Sequence, residues 1–319
     1  MTSKLPKYRP PLLLRNTHLA TIVPNLFRKS TFQYSQRSQI ATEDGDFLVV
    51  DSYRQNSDDV LVLLHGLEGS STRPYIRNLA QVAVGIGLDV IALNFRSCGG
   101  QMNLQARFYH SGETGDLGFL LNHLKSEEKY RNAYLTGFSL GGNVLLKYLG
   151  EQGEQAKEFV KGAMAISVPV DLAASAKEIE KFSNSLYLKR FLRSLKEKVR
   201  TKMHTFPDAA DWKGGLRASG FYDFDDAITA PLHGFDGVMD YYTQASSLPL
   251  LHQMKVPTLL LNAGNDSFLS ESCYPQLKES DYFHPLYPDF GGHVGFARLP
   301  LNRSGFVEEV FVDFLSFLR

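Results

Sequence analysis

Hydrophobic and polar positions divide this chain into short apolar runs separated by segments with helical spacing. The apolar runs have the length and continuity of strands buried on both faces. They predict strands over residues 47–53, 59–64, 88–94, 133–136, 162–168, 257–262 and 282–287. Apolar positions at helical spacing over residues 306–318 predict a closing helix. Strands that alternate with helices favour an α/β fold, with helices on both faces of a mostly parallel sheet.

One segment breaks this alternation. Between about Leu172 and Ser247 the chain becomes helical in pattern, charged and aromatic, and it lies between two predicted core strands. We therefore predict a core of residues 1–172 and 248–319, with a helical cap inserted over residues 173–247. One stretch of the cap has an apolar helix face surrounded by basic residues. The apolar residues are Leu188, Phe191, Leu192, Leu195 and Val199, and the basic ones are Lys189, Arg190, Arg193, Lys196, Lys198, Arg200 and Lys202.

The basic stretch over residues 189–202 is interpreted as a solvated cap helix whose apolar stripe packs on the core. Peripheral contact with an anionic membrane is the alternative, because basic amphipathic helices can lie on lipid surfaces. The neutral charge of the whole chain favours the first interpretation.

Composition and charge narrow the function classes. The 319 residues are 43% hydrophobic and 21% charged, as is typical of a globular protein. The 34 Lys and Arg residues balance 34 Asp and Glu residues, so nucleic-acid binding is not expected. We find neither a signal peptide nor the roughly 18 consecutive apolar residues of a membrane span. With only Cys98 and Cys273 available for pairing, a reducing compartment and a cytoplasmic location are predicted.

The strongest chemical signal is a G-x-S-x-G motif around Ser139. It follows the predicted strand over residues 133–136 and precedes an apolar helical run. This strand–turn–helix context is the one that a nucleophile elbow requires. The turn is so sharp that glycine is needed two residues before and after the serine. The motif predicts Ser139 as a nucleophile above the sheet, with an ordinary structural turn as the alternative.

A serine hydroxyl needs a base that takes its proton, and His293 is the predicted base. It lies in a glycine-rich loop after the last predicted strand, where the chain order of this kind of site places the histidine. His284 falls inside a predicted strand, His123 on a helix and His252 in a loop, so we expect these three to have structural roles.

An acidic residue should orient the imidazole of His293, and Asp266 is the predicted one. It directly follows the sixth predicted strand, at the same edge of the sheet as Ser139. The order Ser139, Asp266, His293 is the Ser–Asp–His order of α/β-hydrolases. Asp289, which is close to His293 in sequence, and Asp171, after the fifth strand, are the alternatives.

Backbone N–H groups are expected to stabilise the oxyanion that forms during acyl transfer. Leu140, directly after the nucleophile, supplies one. The loop over residues 65–70 follows a central strand and contains a His-Gly pair, so Leu67 is predicted to supply the other. His65 is expected to support this loop.

Several sequence blocks together resemble a known family. They cover residues 15–22, 65–70, 107–117, 137–143, 224–235 and 292–296. These blocks resemble the YheT-like esterases of the α/β-hydrolase superfamily, which are related to the eukaryotic abhydrolase-domain lipid hydrolases. The resemblance covers nearly the whole chain and implies an α/β-hydrolase fold with carboxylic-ester hydrolysis. His18 and His110 stand out only within these blocks, and we interpret both as structural.

The resulting hypothesis is a serine esterase that acts on a small-molecule ester, and the aromatic cap suggests an apolar acyl group. A thioesterase or an amidase would use the same residues, and a non-catalytic binding protein of this fold is a further alternative. No cofactor or metal is expected, because the chain lacks the H-E-x-x-H, C-x-x-C and phosphate-loop motifs.

Overall fold

The computed structural model describes residues 5–277, 281–301 and 305–318. Within these ranges the centre of the protein is one eight-stranded sheet, with the strand order β1-β2-β4-β3-β5-β6-β7-β8. The strands are β1 Gln36–Ala41, β2 Phe47–Tyr53, β3 Asp59–Leu64, β4 Asp89–Asn94, β5 Asn132–Phe138, β6 Val160–Ile166, β7 Thr258–Leu261 and β8 Phe283–Leu286. The strands from β3 to β8 pair in parallel, whereas β2 pairs antiparallel with both β1 and β4. The mostly parallel sheet expected from the sequence is confirmed.

Eleven α-helices surround the sheet in the described ranges. They are α1 Thr17–Phe27, α2 Pro74–Gly85, α3 Thr114–Ser126, α4 Leu140–Gln152, α5 Leu172–Ile179, α6 Ser185–Thr205, α7 Trp212–Arg217, α8 Phe221–Phe224, α9 Ala230–Leu232, α10 Val238–Ala245 and α11 Phe306–Leu318. Side chains of β3 alternate between two buried clusters: Leu61 and Leu63 pack with residues of α2 and α11, and Val62 packs with residues of α3 and α4. Helices therefore cover both faces of the sheet, which explains the unbroken apolar run of β3.

The segment between β6 and β7 is described in full and contains helices α5 to α10 but no strand. Its helical character is as expected, while the division into core and cap at residues 173 and 247 stays a prediction. In α6 the side chains of Leu188, Leu192 and Val199 are buried, as the apolar stripe requires. Two basic residues of this helix also face inward: Lys202 is 2% exposed and Lys198 forms an internal ion pair.

The strand β1 is the one element of the sheet that the apolar pattern does not predict. Four of the six residues in its sequence, QRSQIA, are polar, and all six are exposed or half-buried. An edge strand has a neighbour on one side only and gains little from apolar side chains, so its pairing with β2 leaves little pattern in the sequence. None of the helices in the described ranges is long and apolar enough to cross a membrane.

Candidate active site

Ser139 lies in the turn between β5 and α4, at the carboxyl edge of the sheet. Its backbone has φ 53° and ψ −119°, a conformation that stores on the order of 1–3 kcal/mol of strain in a non-glycine residue. The flanking glycines are required by space: a Cβ on Gly137 would lie 2.4 Å from the carbonyl oxygen of Gly141, and one on Gly141 would lie 2.5 Å from that of His65. The sequence therefore folds into a tight turn that presents the hydroxyl of Ser139.

The structure brings the predicted residues Ser139, His293 and Asp266 into one hydrogen-bonded chain. His293 Nε2 lies 2.9 Å from Ser139 Oγ, and His293 Nδ1 lies 2.9 Å from Asp266 Oδ2. The side chain of Asp266 is fully buried, and its other oxygen accepts a hydrogen bond of 3.0 Å from the backbone N–H of Phe268. An ionised carboxylate can only accept hydrogen bonds, so His293 carries its proton on Nδ1. The lone pair on Nε2 then faces the Ser139 hydroxyl and is placed to accept its proton.

The alternative acids lie elsewhere. Asp289 is exposed. Asp171 caps helix α5 by accepting from the N–H of Ala174 at 3.1 Å, and it also accepts from the hydroxyl of Ser272 at 2.7 Å. Neither carboxylate contacts His293 among the hydrogen bonds of the described residues, so geometry favours Asp266.

Residues that the sequence reasoning did not single out hold the loop of His293. The N–H of His293 donates to Thr21 Oγ1 at 2.9 Å, and the N–H of Gly292 donates to Asn265 Oδ1 at 3.0 Å. On the other side, the N–H of Val294 donates to Ser167 Oγ at 2.9 Å. The backbone of the base is thus fixed by side chains from three distant segments. The only sequence signal for Thr21 is that it belongs to the block over residues 15–22.

His18 belongs to the same block, and its contacts indicate a structural role. Asn16 caps helix α1 by accepting from the N–H groups of His18 and Leu19. The Nδ1 atom of His18 lies 3.3 Å from the hydroxyl of Tyr187 in α6, and the two rings are stacked with centroids 5.9 Å apart. His18 therefore joins the N-terminal helix to the segment between β6 and β7, outside the chain of Ser139 and His293.

The two predicted oxyanion donors lie beside Ser139. A Cβ on Gly66 would lie 3.2 Å from Ser139 Cβ, which places the loop of Leu67 directly against the serine. The carbonyl of Gly66 is held by His65 Nδ1 at 2.7 Å and by the N–H of Gly69 at 3.0 Å. In a trans peptide the N–H points away from the carbonyl, so the N–H of Leu67 faces the opposite side. In the described part of the chain, neither this N–H nor that of Leu140 has a protein acceptor.

His65 has the supporting role that its position predicts. Its side chain is fully buried, Nδ1 contacts the carbonyl of Gly66, and Nε2 accepts from the N–H of Phe95 at 3.2 Å. Burial lowers the pKa of His65 to about 4, so the ring is neutral in the physiological range. A neutral ring with both nitrogens bonded to the backbone fixes the loop of Leu67.

A buried ion pair connects this loop to helix α6. Glu68 accepts from Lys198 Nζ at 2.6 Å, from the hydroxyl of Tyr109 at 2.8 Å and from the hydroxyl of Ser194. The side chains of Glu68 and Lys198 are 6% and 12% exposed. Lys198 of α6 therefore helps to hold the loop over residues 65–70. The sequence did not indicate this role.

Ser139 opens into a cavity of about 130 Å³, here called the first cavity. Most of its wall is apolar and comes from the segment between β6 and β7. That segment contributes Leu172, Ala176, Ile179, Phe191, Leu195, Phe221 and Phe224. A cavity of this kind can hold an apolar group next to the serine.

Asp225, in the wall of the first cavity, is expected to make stability depend on pH. Its carboxylate accepts from Thr229 Oγ1 at 2.5 Å and from the hydroxyl of Tyr242 at 2.9 Å. Burial raises its pKa from 3.8 to about 6. Between these two values the folded protein keeps a proton that the unfolded chain has lost. The contribution of this group to the free energy of unfolding therefore falls as pH rises through that window, and it stays low above it.

The substitution Asp225→Asn removes this ionisation. Relative to the wild type, we expect the free energy of unfolding of the variant to improve by up to about 3 kcal/mol from about pH 4 to about pH 7, at about 1.4 kcal/mol per pKa unit. Urea unfolding at a series of pH values measures the difference. The exposed neighbour Asp223, changed to Asn, is the control and should show no such trend. A pH-independent difference for Asp225→Asn would contradict the shifted pKa.

One cluster has ligand atoms close enough for a metal. The side chains of His110, Glu113 and His233 offer atoms within 4.8 Å of one another. However, His110 Nδ1 accepts from the N–H of Gly112 at 3.1 Å, so the Nε2 atom carries the proton. Glu113 is already paired with Arg107 at 2.8 Å. Hydrogen bonds and a cation thus occupy the cluster. The rings of His110 and His233 meet edge to face, with centroids 4.6 Å apart, and join the blocks over residues 107–117 and 224–235.

Comparison with known proteins agrees with this fold. The family model of the alpha/beta hydrolase fold matches residues 59–284. The chain belongs to the α/β-hydrolase family. It is 33% identical over 292 residues to the Escherichia coli protein named "Putative esterase YheT", covering 88% of this chain and 84% of that one. The resemblance to the YheT-like esterases is confirmed.

Other α/β-hydrolases extend the comparison. Human phospholipase ABHD3 is 28% identical over 306 residues, which cover 92% of this chain and 74% of the relative. Among solved structures, the esterase Pf2001 of Pyrococcus furiosus superposes with a TM-score of 0.60 at 19% identity, covering 98% of both chains. At that identity the superposition supports the fold alone.

Proposed function

We propose that this α/β-hydrolase cleaves a carboxylic ester through an acyl-enzyme on Ser139. The observation that carries the proposal is the hydrogen-bonded chain from Asp266 through His293 to Ser139, which opens into the apolar first cavity. Names of relatives, which include an esterase, a monoacylglycerol lipase and a phospholipase, support the same reaction class.

In the proposed mechanism, His293 Nε2 takes the proton of the Ser139 hydroxyl while Oγ attacks the ester carbonyl carbon. The carbonyl oxygen becomes an oxyanion, which the N–H groups of Leu67 and Leu140 stabilise. The bond to the alcohol oxygen then breaks, and His293 returns the proton to that oxygen. Water repeats the sequence on the acyl-enzyme and releases the acid. Asp266 keeps the imidazole in the productive tautomer and stabilises its protonated form.

The apolar wall of the first cavity supports an apolar acyl group in the substrate. A thioester or an amide would react with the same residues, and comparison of matched acyl substrates separates the three. For the segment over residues 173–247 we propose the role of a cap, since its helices form most of this wall.

The cytoplasm is the compartment that we propose, because Cys98 and Cys273 are both unpaired and buried. Contact of the basic helix α6 with an anionic membrane stays a prediction. The internal bonds of Lys198 and Lys202 leave fewer charges of this helix for such a contact.

A fluorophosphonate probe tests the proposed function, because it labels serines that a base and an oxyanion site activate. The intact mass should increase by one adduct in the wild type, and peptide mapping should locate it on Ser139. His293→Ala should abolish the labelling. His252→Ala should retain it, because His252 is exposed on the short 3₁₀ helix Leu248–Gln253 and lines neither cavity at Ser139. A folded wild type that neither reacts with the probe nor hydrolyses short esters would favour the non-catalytic alternative.

A further inference from the structure

A second cavity, of about 330 Å³, meets the first cavity at Ser139 and His293. Leu67, Phe191 and Phe268 also line both. The wall of the second cavity adds residues of α1, of the loop after β3 and of the first turns of α6. An ester has two arms on either side of its carbonyl group, and two cavities that meet at the serine can hold one arm each.

The positions of Leu140 and of the loop of His293 indicate which arm of the ester lies in which cavity. This assignment rests on the proposed function. Leu140, the proposed oxyanion donor that follows Ser139, lines only the first cavity, whereas the other proposed donor, Leu67, lines both. Thr21 and Val294, which flank the base, line only the second. Because His293 must protonate the departing oxygen, the alcohol lies on the side of this loop. The alcohol therefore extends into the second cavity, and the apolar acyl group into the first.

The second cavity is lined by one acidic and two basic side chains. They are Glu68, Arg73 and Arg190. The carboxylate of Glu68 is neutralised by Lys198 at 2.6 Å and is almost fully buried. Arg73 donates one hydrogen bond to the backbone carbonyl of Glu68 at 2.8 Å. Neither arginine takes part in an ion pair among the described residues. Two guanidinium groups thus line this cavity, and neither has an ion-pair partner in the part of the chain that the structure describes.

We propose that the alcohol part of the substrate carries a negative charge, which Arg73 and Arg190 bind. A guanidinium group presents donors in a planar fork that fits the oxygens of a phosphate or a carboxylate. Arg73 is half-buried and anchored on the loop over residues 65–70, whereas Arg190 is exposed on α6 at the rim. An anion that contacts both side chains would join the loop of Arg73 to helix α6.

Esters that share one acyl group and differ in the alcohol test whether a negative charge on the alcohol is preferred. We would compare hexanoyl glycerol, hexanoyl glycerol phosphate, hexanoyl lactate and hexanoyl choline at low ionic strength. The kcat/KM of an anionic ester is expected to exceed that of hexanoyl glycerol by about tenfold, chiefly through a lower KM, and hexanoyl choline should react most slowly. The phosphate and lactate esters separate a phosphate from a carboxylate. Added salt should reduce the preference, because the rim is solvated.

Arg190→Gln should lower the ratio of kcat/KM between the preferred anionic ester and hexanoyl glycerol towards one. Arg193→Gln is the matched control, since Arg193 lies on the same helix, is 83% exposed and does not line the cavity. It should keep the wild-type ratio. Equal kcat/KM values for the neutral and anionic esters in the wild type would overturn the inference and leave the esterase proposal intact. Failure of all four esters together with absent probe labelling would overturn the proposed function itself.

Discussion

Replacing Ser139 with alanine is expected to lower the kcat/KM for ester hydrolysis by at least about 10⁴-fold, because no acyl-enzyme can form without the Oγ atom. The backbone N–H donors stay in place and the walls of the two cavities lose only the Oγ atom, so binding of substrate should persist while chemistry is lost. The measurement is the initial rate of hydrolysis of a short ester by the purified variant, beside its thermal unfolding temperature.

The unfolding temperature shows whether a loss of rate reflects a loss of structure. Ser219→Ala is the matched control, because Ser219 is exposed and distant in sequence from the elbow, and it should retain wild-type activity. Hydrolysis by Ser139→Ala within a few-fold of the wild type would rule out Ser139 as the nucleophile.

The second large effect is expected for Asp266→Asn, which should lower kcat by about 10⁴-fold at neutral pH. Both carboxylate oxygens of Asp266 accept hydrogen bonds from N–H groups, one from Phe268 and one from His293. An asparagine has only one oxygen, so its NH₂ group must face one of these donors. With its oxygen towards the N–H of Phe268, the NH₂ group forces the proton of His293 onto Nε2. The ring can then no longer take the proton of Ser139.

A matched substitution completes this test. Asp289→Asn changes an exposed acid close to His293 in sequence, and its kcat should remain within about twofold of the wild type. If Asp289→Asn were the damaging substitution and Asp266→Asn the mild one, Asp289 would be the orienting acid.

The residues of the proposed triad could be named from the sequence because each carries a local signal. Ser139 has its glycines, and the close approach of Gly137 to Gly141 shows why no other residue fits there. Asp266 and His293 follow late strands, and parallel strands bring their carboxyl ends to one edge of the sheet. The distances of 2.9 Å along the chain could not be predicted, since they depend on how those loops pack.

The residues that hold the site in place carry weaker signals in the sequence. Thr21 is 272 residues from His293, and Glu68 is 130 residues from Lys198. Nothing in the local pattern of a threonine on a helix, or of a lysine in a basic stretch, indicates such a partner. Lys198 and Lys202 are examples. The sequence predicts that both lie on a solvated helix face, whereas in the structure both form hydrogen bonds inside the protein.

The sequence by itself determined the α/β fold, most strands of the sheet, the closing helix and the elbow of Ser139. These features depend on residue spacing and on the backbone freedom of glycine, which act over a few neighbouring residues. Tertiary structure alone decided the pairing of the polar strand β1, the contacts that hold the His293 loop and the two cavities that meet at Ser139. It also decided that Arg73 and Arg190 line one of those cavities, where neither has an ion-pair partner among the described residues. The burial and pairing of a charge depend on segments distant along the chain, and their positions exist only once the chain has packed.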